Sequence, residues 1–267
     1  MFNRRGDRPL RLLVVISYLV MIICNMLANT LPINGFTTGG VSDAYPNLFA
    51  PAGITFSIWG IIYLLLFGYV LYHIGFLQNG AKIVNTDLLR KAGKYFVISS
   101  FANALWIVAW HYQLILVAMV LMIVILFCLI AINSETNSER ITGREKILVR
   151  LPFSVYFGWI TVATIANVTV LLVSLGWRGY GLPETFWTAA IIVIGAIIGI
   201  VTTHKNHDFA YGLVLIWAYS GILTKHLSKE GFAGQYPEVV ITTIACLVLL
   251  VFSELYLLRS GKKKLEL

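Results

Sequence analysis

The chain of 267 residues is 58% hydrophobic and 12% charged, with a formal net charge of +8 and a mean hydropathy of +0.82. Soluble domains carry about 25% charged residues, so this composition excludes a soluble globular protein and predicts an integral membrane protein. The excess of positive charge is accounted for by membrane topology, as argued below, and we expect no nucleic-acid partner.

Eight apolar stretches follow one another along the chain, and each is long enough to cross a hydrocarbon core of about 30 Å. They lie near 10–30, 51–75, 95–111, 113–133, 151–175, 186–203, 208–225 and 237–258. The predicted fold class is therefore all-α, a polytopic transmembrane helical bundle of about eight spans. The first stretch lacks a small-x-small cleavage site after it, so we expect it to be retained and not removed as a signal peptide.

The distribution of Lys and Arg predicts the orientation, because cytoplasmic loops retain positive charge. Seventeen of the twenty basic residues fall on one side of the predicted membrane, which leaves Arg178, Lys225 and Lys229 for the other side. The seventeen are Arg4, Arg5, Arg8, Arg11, Lys82, Arg90, Lys91, Lys94, Arg140, Arg144, Lys146, Arg150, Lys205, Arg259 and Lys262 to Lys264. We expect a multi-pass protein of the cell membrane with both termini in the cytoplasm, which requires an even number of spans.

The longest connection on the predicted outer side is LPINGFTTGGVSDAYPNLFA, residues 31–50. Its Gly, Pro, Asn and Thr content is typical of a loop, and a loop of this length between packed helices often caps or binds something. The alternative is a solvated turn. Its many apolar side chains and its single charge, Asp43, favour a cap.

Four of the spans carry a stripe of polar and aromatic residues. At about 100° per residue, each set falls on one helix face. The sets are Tyr18, Asn25 and Asn29 in the first span; Thr55, Trp59 and Tyr63 in the second, after Pro51; Ser99, Asn103, Trp106 and Trp110 in the third; and Tyr156, Trp159, Ala163 and Asn167 in the fifth.

An amide in hydrocarbon must find a hydrogen-bond partner, so these faces should turn toward one another. One interpretation is that the Asn residues join helices and the Trp residues fill space. The other is a pocket, because most of the set lies in the outward half of the bundle, beneath residues 31–50. A pocket walled by indole rings with a few amides suits a large, flat and mostly apolar ligand.

Ionisable residues are scarce within the predicted spans. The interior of the first five contains no Asp, Glu, Lys or Arg, although ion-coupled transport generally needs such a group. Glu254 is the one acid inside a span apart from Asp208 at a boundary, and we expect its side chain to extend to the cytoplasmic end near Arg259.

Motifs for catalysis, zinc, phosphate or dinucleotide binding are absent from the sequence, so we expect no enzyme activity and no cofactor. His204 and His207 in THKNHD suggest a metal site only weakly, and a solvated loop is the favoured interpretation. Cys24, Cys128 and Cys246 lie in different spans without pairing motifs, and they are expected to be core residues.

The spacing of these stripes resembles the translocator protein family, also called tryptophan-rich sensory proteins (TspO/MBR). The matching positions are Pro51, Trp59 and Tyr63 in the second span, Asn103 and Trp106 in the third, and Tyr156, Trp159, Ala163 and Asn167 in the fifth. The chain departs from the family pattern at Gly53, where an aromatic is usual, at Pro152, which lies early, and in lacking a Pro after Trp106.

The resemblance implies a five-helix core over residues 1–180. The three additional transmembrane helices and the basic tail, residues 181–267, have no counterpart in the five-helix family, so the chain resembles an extended, divergent member of it. The resemblance also implies a receptor or carrier for a hydrophobic ligand of porphyrin (tetrapyrrole) or sterol type, in contact with membrane lipid and often a homodimer; a small-molecule transporter is the alternative. The implied ligand-binding residues are Asn29, Pro51, Trp59, Tyr63, Asn103, Trp106, Trp110, Tyr156, Trp159 and Asn167.

Gly195 and Gly199 form a GxxxG pattern in the sixth span, which permits close approach of another helix. In a polytopic chain that neighbour is usually a helix of the same chain, and a second copy is the alternative.

Overall fold

The computed structural model describes residues 8–31, 33–78, 85–139 and 141–263, with side chains up to residue 259. These residues form helices and connecting turns, without a β-strand. The helices in chain order are α1 Arg8–Thr30, α2 Thr38–Asp43, α3 Ile58–His73, α4 Thr86–His111, α5 Ile115–Ser138, α6 Gly143–Glu145, α7 Leu151–Ser174, α8 Glu184–Asn206, α9 Phe209–Leu227 and α10 Pro237–Lys263. The predicted all-α membrane bundle is confirmed.

Four single turns connect these helices. Tight turns of 3₁₀ type lie at Ile33–Gly35, Gly53–Ser57 and Gly179–Gly181, and a wider π-type turn, Lys146–Arg150, leads into α7. Of the basic residues used to predict the orientation, several lie outside the described part of the chain: Arg4, Arg5, Lys82, Arg140 and Lys264, together with the side chains of Lys262 and Lys263.

Seven helical segments of the described chain are long and apolar enough to cross a membrane. They are α1, α4, α5, α8 and α10, α3 with its preceding 3₁₀ turn, and α7 with α6 and the π-type turn. The eighth predicted span is present as α9, which has 19 residues but ends in a polar turn containing Lys225 and His226. Its lower hydropathy follows from that turn and from its Tyr and Gly residues, most of which are buried inside the bundle.

The two ends of α9 lie at opposite ends of the bundle. At its start, Asp208 accepts a hydrogen bond from Ser154 in the first turn of α7. At its end, Lys225 pairs with Asp43 of α2, Nζ to Oδ1 3.1 Å. Since α9 runs the full depth of the bundle, eight long helices traverse it, and the start of α1 and the end of α10 lie at the same end.

Local sequence signals fix several helix starts. The side chain of Asn85 accepts a hydrogen bond from the backbone N–H of Leu88 at 3.0 Å and so caps α4. Thr142 and Glu145 form a reciprocal capping box at α6. The cap at Asn85 explains why α4 begins nine residues before the predicted span 95–111: its first turns carry Asp87, Arg90, Lys91 and Lys94 and extend beyond the apolar segment.

Small residues allow α9 to lie close against its neighbours. A Cβ on Gly158 of α7 would lie 2.9 Å from the backbone oxygen of Tyr211, so α7 and α9 meet backbone to backbone. Gly195 and Gly199 of α8 face Tyr219 and Leu215 of the same helix α9. The GxxxG pattern therefore packs against another helix of the same chain.

Large apolar side chains cover the outside of the bundle. They include Leu19, Ile23 and Met26 on α1, Leu116 and Phe127 on α5, and Leu249, Phe252 and Tyr256 on α10, each at least 49% exposed. A surface of this kind suits contact with lipid tails. The proposed boundary at residue 180 between a five-helix core and three further helices stays a prediction, although the three helices are present as α8, α9 and α10.

Candidate functional site

Four tryptophans from three helices surround one point near the end of the bundle that carries α2. Trp59 of α3 lies between Trp106 of α4 and Trp159 of α7, with ring centroids 6.1 and 6.2 Å away. Trp110 stacks on Trp106 one turn later, at 5.8 Å. The stripes predicted on three separate spans thus meet.

These rings enclose a small cavity of about 40 Å³. Its lining residues are Thr38, Ser42, Pro51, Phe56, Trp59, Trp106, Trp110, Trp159, Val162, Ala163, Ala166, Asn167 and Val170. Six of the ten predicted site residues are among them: Pro51, Trp59, Trp106, Trp110, Trp159 and Asn167. A volume of 40 Å³ holds about one water molecule, so the cavity is closed to a larger ligand in this conformation.

Hydrogen bonds hold two of the indoles in place and leave a third without a partner. Trp106 Nε1 donates to Oδ1 of Asn167 at 3.2 Å, and Trp110 Nε1 donates to the backbone oxygen of Thr38 at 3.0 Å. Trp159 is 3% exposed, and its Nε1 has no hydrogen-bond partner. A buried N–H without an acceptor is costly, and one beside a cavity is available to a ligand oxygen.

A larger cleft of about 640 Å³ adjoins the cavity. Thr38, Phe56 and Trp59 line both spaces, so these side chains form the wall between them. Two more predicted residues, Asn29 and Tyr63, line the cleft. The hydroxyl of Tyr63 also lacks a partner, whereas the amide of Asn29 is engaged, donating to the backbone oxygen of Asn25 at 2.8 Å.

The remaining two predicted residues, Asn103 and Tyr156, line neither space. Asn103 is fully buried and accepts from Asn25 Nδ2 at 2.7 Å while donating to the hydroxyl of Tyr156 at 3.0 Å. The chain Asn25–Asn103–Tyr156 joins α1, α4 and α7 behind the indoles. Both functional groups of the Asn103 amide are therefore used in joining helices.

Residues 33–50 pack onto the bundle as a cap and do not form a solvated turn. Leu48 and Phe49 are 3% and 1% exposed. Thr38 Oγ1 lies 3.2 Å from Asn29 Oδ1 and 3.3 Å from His111 Nε2, which fixes α2 over the ends of α1 and α4.

Helix α9 also holds this cap and the turn that follows it, a role that the sequence did not indicate. Trp217 Nε1 of α9 donates to the backbone oxygen of Thr55 at 3.0 Å, and His226 Nε2 lies 2.8 Å from the backbone oxygen of Leu48. Thr38, Ser42 and Phe56 were missed as lining residues for the same reason. Their places depend on contacts between distant segments, which no local spacing reveals.

The described residues contain no group of three or more His, Cys, Asp or Glu side chains that could hold a metal ion. His204 Nε2 lies 2.8 Å from Ser253 Oγ, and His207 ends α8 in a left-handed conformation, so the two do not converge. Cys24, Cys128 and Cys246 are free thiols.

Comparison with known protein families gives a match over most of the chain. The sequence profile of the family described as TSPO-like protein matches residues 11–256, which cover the last three long helices as well as the first five. No curated protein and no solved structure matches the chain. The family match covers most of the chain and includes every residue around the four tryptophans, so this multi-pass membrane protein belongs to the TSPO-like protein family.

Proposed function

We propose that the protein is a membrane receptor or carrier that binds a hydrophobic ligand of porphyrin or sterol type among Trp59, Trp106, Trp110 and Trp159. Membership of the TSPO-like family points to ligand binding or transport in the membrane. Indole faces stack on flat ring systems, and burial of rings of this size contributes much of the binding energy of apolar ligands.

The observation that carries the proposal is the unpartnered Nε1–H of Trp159 beside an apolar cavity. A carboxylate, carbonyl or hydroxyl oxygen on the edge of a ligand would accept this hydrogen bond. The hydroxyl of Tyr63 on the adjoining cleft offers a second donor. The site thus combines apolar ring faces with two polar contacts that can set the orientation of a ligand.

Binding requires the cavity and the cleft to join. Ligand pockets usually measure about 300–1,000 Å³, so the cavity of 40 Å³ alone is too small, whereas the cleft of 640 Å³ lies in that range. Phe56 and Trp59 form the partition. Rotation of these two side chains, with a small displacement of α2, would open one continuous space beneath the cap.

A ligand screen on the purified protein in nanodiscs tests the proposal. Quenching of intrinsic tryptophan fluorescence by protoporphyrin, other tetrapyrroles and sterols should saturate for at least one compound and raise the melting temperature of the protein. A variant Leu126→Ala in α5, which lies outside the cavity and the cleft, serves as the control and should bind equally well. If no compound saturates, the proposal is wrong.

A transporter is the second candidate, because α9 contacts the cap directly through Lys225, His226 and Trp217. A shift of α9 would move residues 43–55 and so open or close the cavity. Uptake of the labelled ligand into proteoliposomes separates the two functions. Saturable flux supports transport, and binding without flux supports a receptor.

We propose binding and not catalysis at this site. Tryptophan can take part in photo-oxidation of a bound pigment, so the relevant test is mass spectrometry of the ligand after illumination with the protein. We expect the ligand to be recovered unchanged. A protein-dependent product would assign an enzyme activity instead.

The location, orientation and oligomeric state of the protein are proposed as follows. We propose that it resides in the cell membrane with the end of the bundle that holds Arg90, Arg144 and Arg150 in the cytoplasm. A homodimer is proposed from the resemblance alone, and chemical cross-linking in native membranes tests it. A cross-linked species at twice the monomer mass is the expected result.

A further inference from the structure

Glu254 of α10 is buried, with 5% of its surface exposed. The expectation that its side chain extends toward Arg259 at the bundle end is wrong, because it packs inward against α9. A Cβ on Gly212 would overlap Oε1 of Glu254, so the carboxyl group lies flush against the α9 backbone. Only glycine leaves room for it there.

Two buried oxygen atoms of the residues around this contact have no hydrogen-bond partner. One is Oε2 of Glu254, and the other is Oγ1 of Thr203 on α8, a residue that is 1% exposed. The same Cβ position on Gly212 lies 3.0 Å from Thr203 Oγ1 and 2.6 Å from Cδ of Glu254. The Thr203 hydroxyl and the Glu254 carboxyl group therefore both border the Cα of Gly212.

A second buried acid, Asp208, lies one helical turn before Gly212 and interacts electrostatically with Glu254. In contrast to Glu254, Asp208 has its donors in place. It accepts hydrogen bonds from the backbone N–H of Tyr211, from Ser154 Oγ and from Asn133 Nδ2. The two oxygens of the Asp208 carboxyl group are therefore both engaged.

No described basic side chain neutralises the two acids. The ion pairs within 4.0 Å in the described chain involve Asp43, Asp87 and Glu135, and neither Asp208 nor Glu254. The titratable neighbours have other partners. Arg150 of α7 donates to the backbone oxygens of Asn206 and His207, His204 of α8 pairs with Ser253, and Tyr211 of α9 donates to Thr161.

An ionised Glu254 would thus be a buried negative charge near a second acid, with one oxygen that accepts no hydrogen bond. Such a charge is costly in a bundle that crosses a membrane. Addition of one H⁺ to the carboxylate removes the charge and creates an O–H donor. A small rotation of the two side chains would let this O–H pair with Thr203 Oγ1, the other buried oxygen without a partner.

A cleft open to water lies near Asp208. This cleft of about 530 Å³, lined among others by Asn133, Ser134 and Lys205, opens at the same end of the bundle. Asn133 Nδ2 lies 3.3 Å from Oδ2 of Asp208, so water in this cleft comes within one side chain of Asp208.

We propose that Glu254 is a proton-binding site of the last three helices, which exchanges its proton with water in this cleft by way of Asp208. The site is separate from the indole cavity and does not depend on ligand binding there. Ion-coupled membrane proteins use intramembrane acids in this way, and the first five spans contain none. Helices α8, α9 and α10 would thereby have a function of their own.

Infrared difference spectroscopy of the wild-type protein in nanodiscs tests the proposal. A neutral carboxyl group has a C=O stretching band separate from the amide bands, and this band shifts in D₂O. We expect such a band at neutral pH, reversible loss of the band at alkaline pH, and its absence in Glu254→Gln. The matched control Glu238→Gln changes an exposed acid at the opposite end of the same helix and should retain the band.

Two further variants keep the test decisive if Glu254→Gln does not fold. Thr203→Val removes the acceptor at nearly constant size, so the band should persist at a shifted frequency. Asp208→Asn should retain the band, because the proton resides on Glu254. Three outcomes would overturn the proposal. The first is absence of the band from the wild-type protein, and the second is an unchanged band in both Glu254→Gln and Thr203→Val. The third is loss of the band in Asp208→Asn alone.

Discussion

Asn25 Nδ2 of α1 donates to Oδ1 of Asn103 on α4 at 2.7 Å, and both side chains are buried. Asn103 in turn donates to the hydroxyl of Tyr156 on α7. This three-residue chain ties α1 to α4 and α7, the two helices that carry Trp106, Trp110 and Trp159. Asn103 and Tyr156 line neither the cavity nor the cleft, so their effect on a ligand is to position the rings and not to contact the ligand.

Replacement of Asn103 by Leu should lower the thermal stability of the unliganded protein. The change removes the interhelical bond of Asn25, whose Nδ2 keeps only the backbone oxygen of Met21, and leaves the Tyr156 hydroxyl without its Asn103 partner. Interhelical hydrogen bonds in membranes are worth about 0.6–2 kcal/mol each. Scanning fluorimetry in detergent measures the effect. The affinity of Asn103→Leu for a bound ligand should change less than that of a variant of a cavity-lining tryptophan.

The double variant Asn25→Leu with Asn103→Leu provides the control. Removal of both partners leaves fewer unsatisfied groups, so the double variant should be more stable than the sum of the two single variants predicts. Strict additivity of the two effects would show that the two amides are not coupled.

The sequence predicted the elements of the site better than their roles. Period-3.6 stripes identified four inward helix faces, since an amide or indole in hydrocarbon must turn toward protein. The same reasoning could not separate Asn103, which joins helices, from Asn167, which holds Trp106 at the cavity wall. That distinction depends on helix rotation and on distances between segments more than fifty residues apart.

The contacts that hold α9 in place could not be predicted from the sequence either. Its polar last turn lowers its hydropathy, yet Lys225 and His226 have partners in residues 43 and 48. Glu254 was misplaced because its distance from the helix end suggested an extended side chain. The glycine that accommodates it, Gly212, lies on another helix, and one sequence alone does not pair the two.

Gly221 of α9 offers a test of the contact between the last three helices and the cavity entrance. A Cβ at this position would overlap Oγ1 of Thr55 and lie 2.9 Å from its Cβ. We expect Gly221→Ala to destabilise the protein by about 1–3 kcal/mol, as overpacked contacts do. Measurement of the melting temperature should show the loss.

Two companion variants identify the cause of that loss. Thr55→Ala combined with Gly221→Ala should recover part of the stability, because the Thr55 hydroxyl has no hydrogen bond to lose. Gly68→Ala in α3 meets only Leu148 Cδ2 at 3.5 Å and should be nearly neutral. Equal losses for Gly68→Ala and Gly221→Ala would mean that the tight contact with Thr55 has no special effect.

Cysteine accessibility tests the topology. In a variant without the three native cysteines, single cysteines are placed at positions 40, 85, 142 and 263 and treated with a membrane-impermeant reagent in intact cells. Residues 85 and 142 lie at one end of the bundle, since Asn85 and Thr142 both bond to Glu145, and residue 40 lies at the other. We expect labelling at 40 alone. External labelling at 263 would contradict an even number of spans.

Trp159 supplies the test of the candidate site itself. Its ring meets Trp59 and Phe56 edge to face, with centroids 6.2 and 5.9 Å away, and its Nε1 is free for a ligand. Aromatic contacts contribute about 0.5–1.5 kcal/mol beyond burial, so Trp159→Leu should weaken porphyrin binding several-fold up to about tenfold. Fluorescence titration in nanodiscs measures the affinity.

The comparison variant is Trp187→Leu, which changes an indole of a separate pocket of about 340 Å³ that also contains Trp177. It loses a similar ring area near the same end of the bundle, so general effects of tryptophan loss should appear in both variants. If Trp187→Leu weakens binding and Trp159→Leu does not, the ligand occupies the Trp177 pocket. If Trp159→Leu lowers only the melting temperature and leaves every affinity unchanged, the four tryptophans are packing residues and the proposed site is wrong.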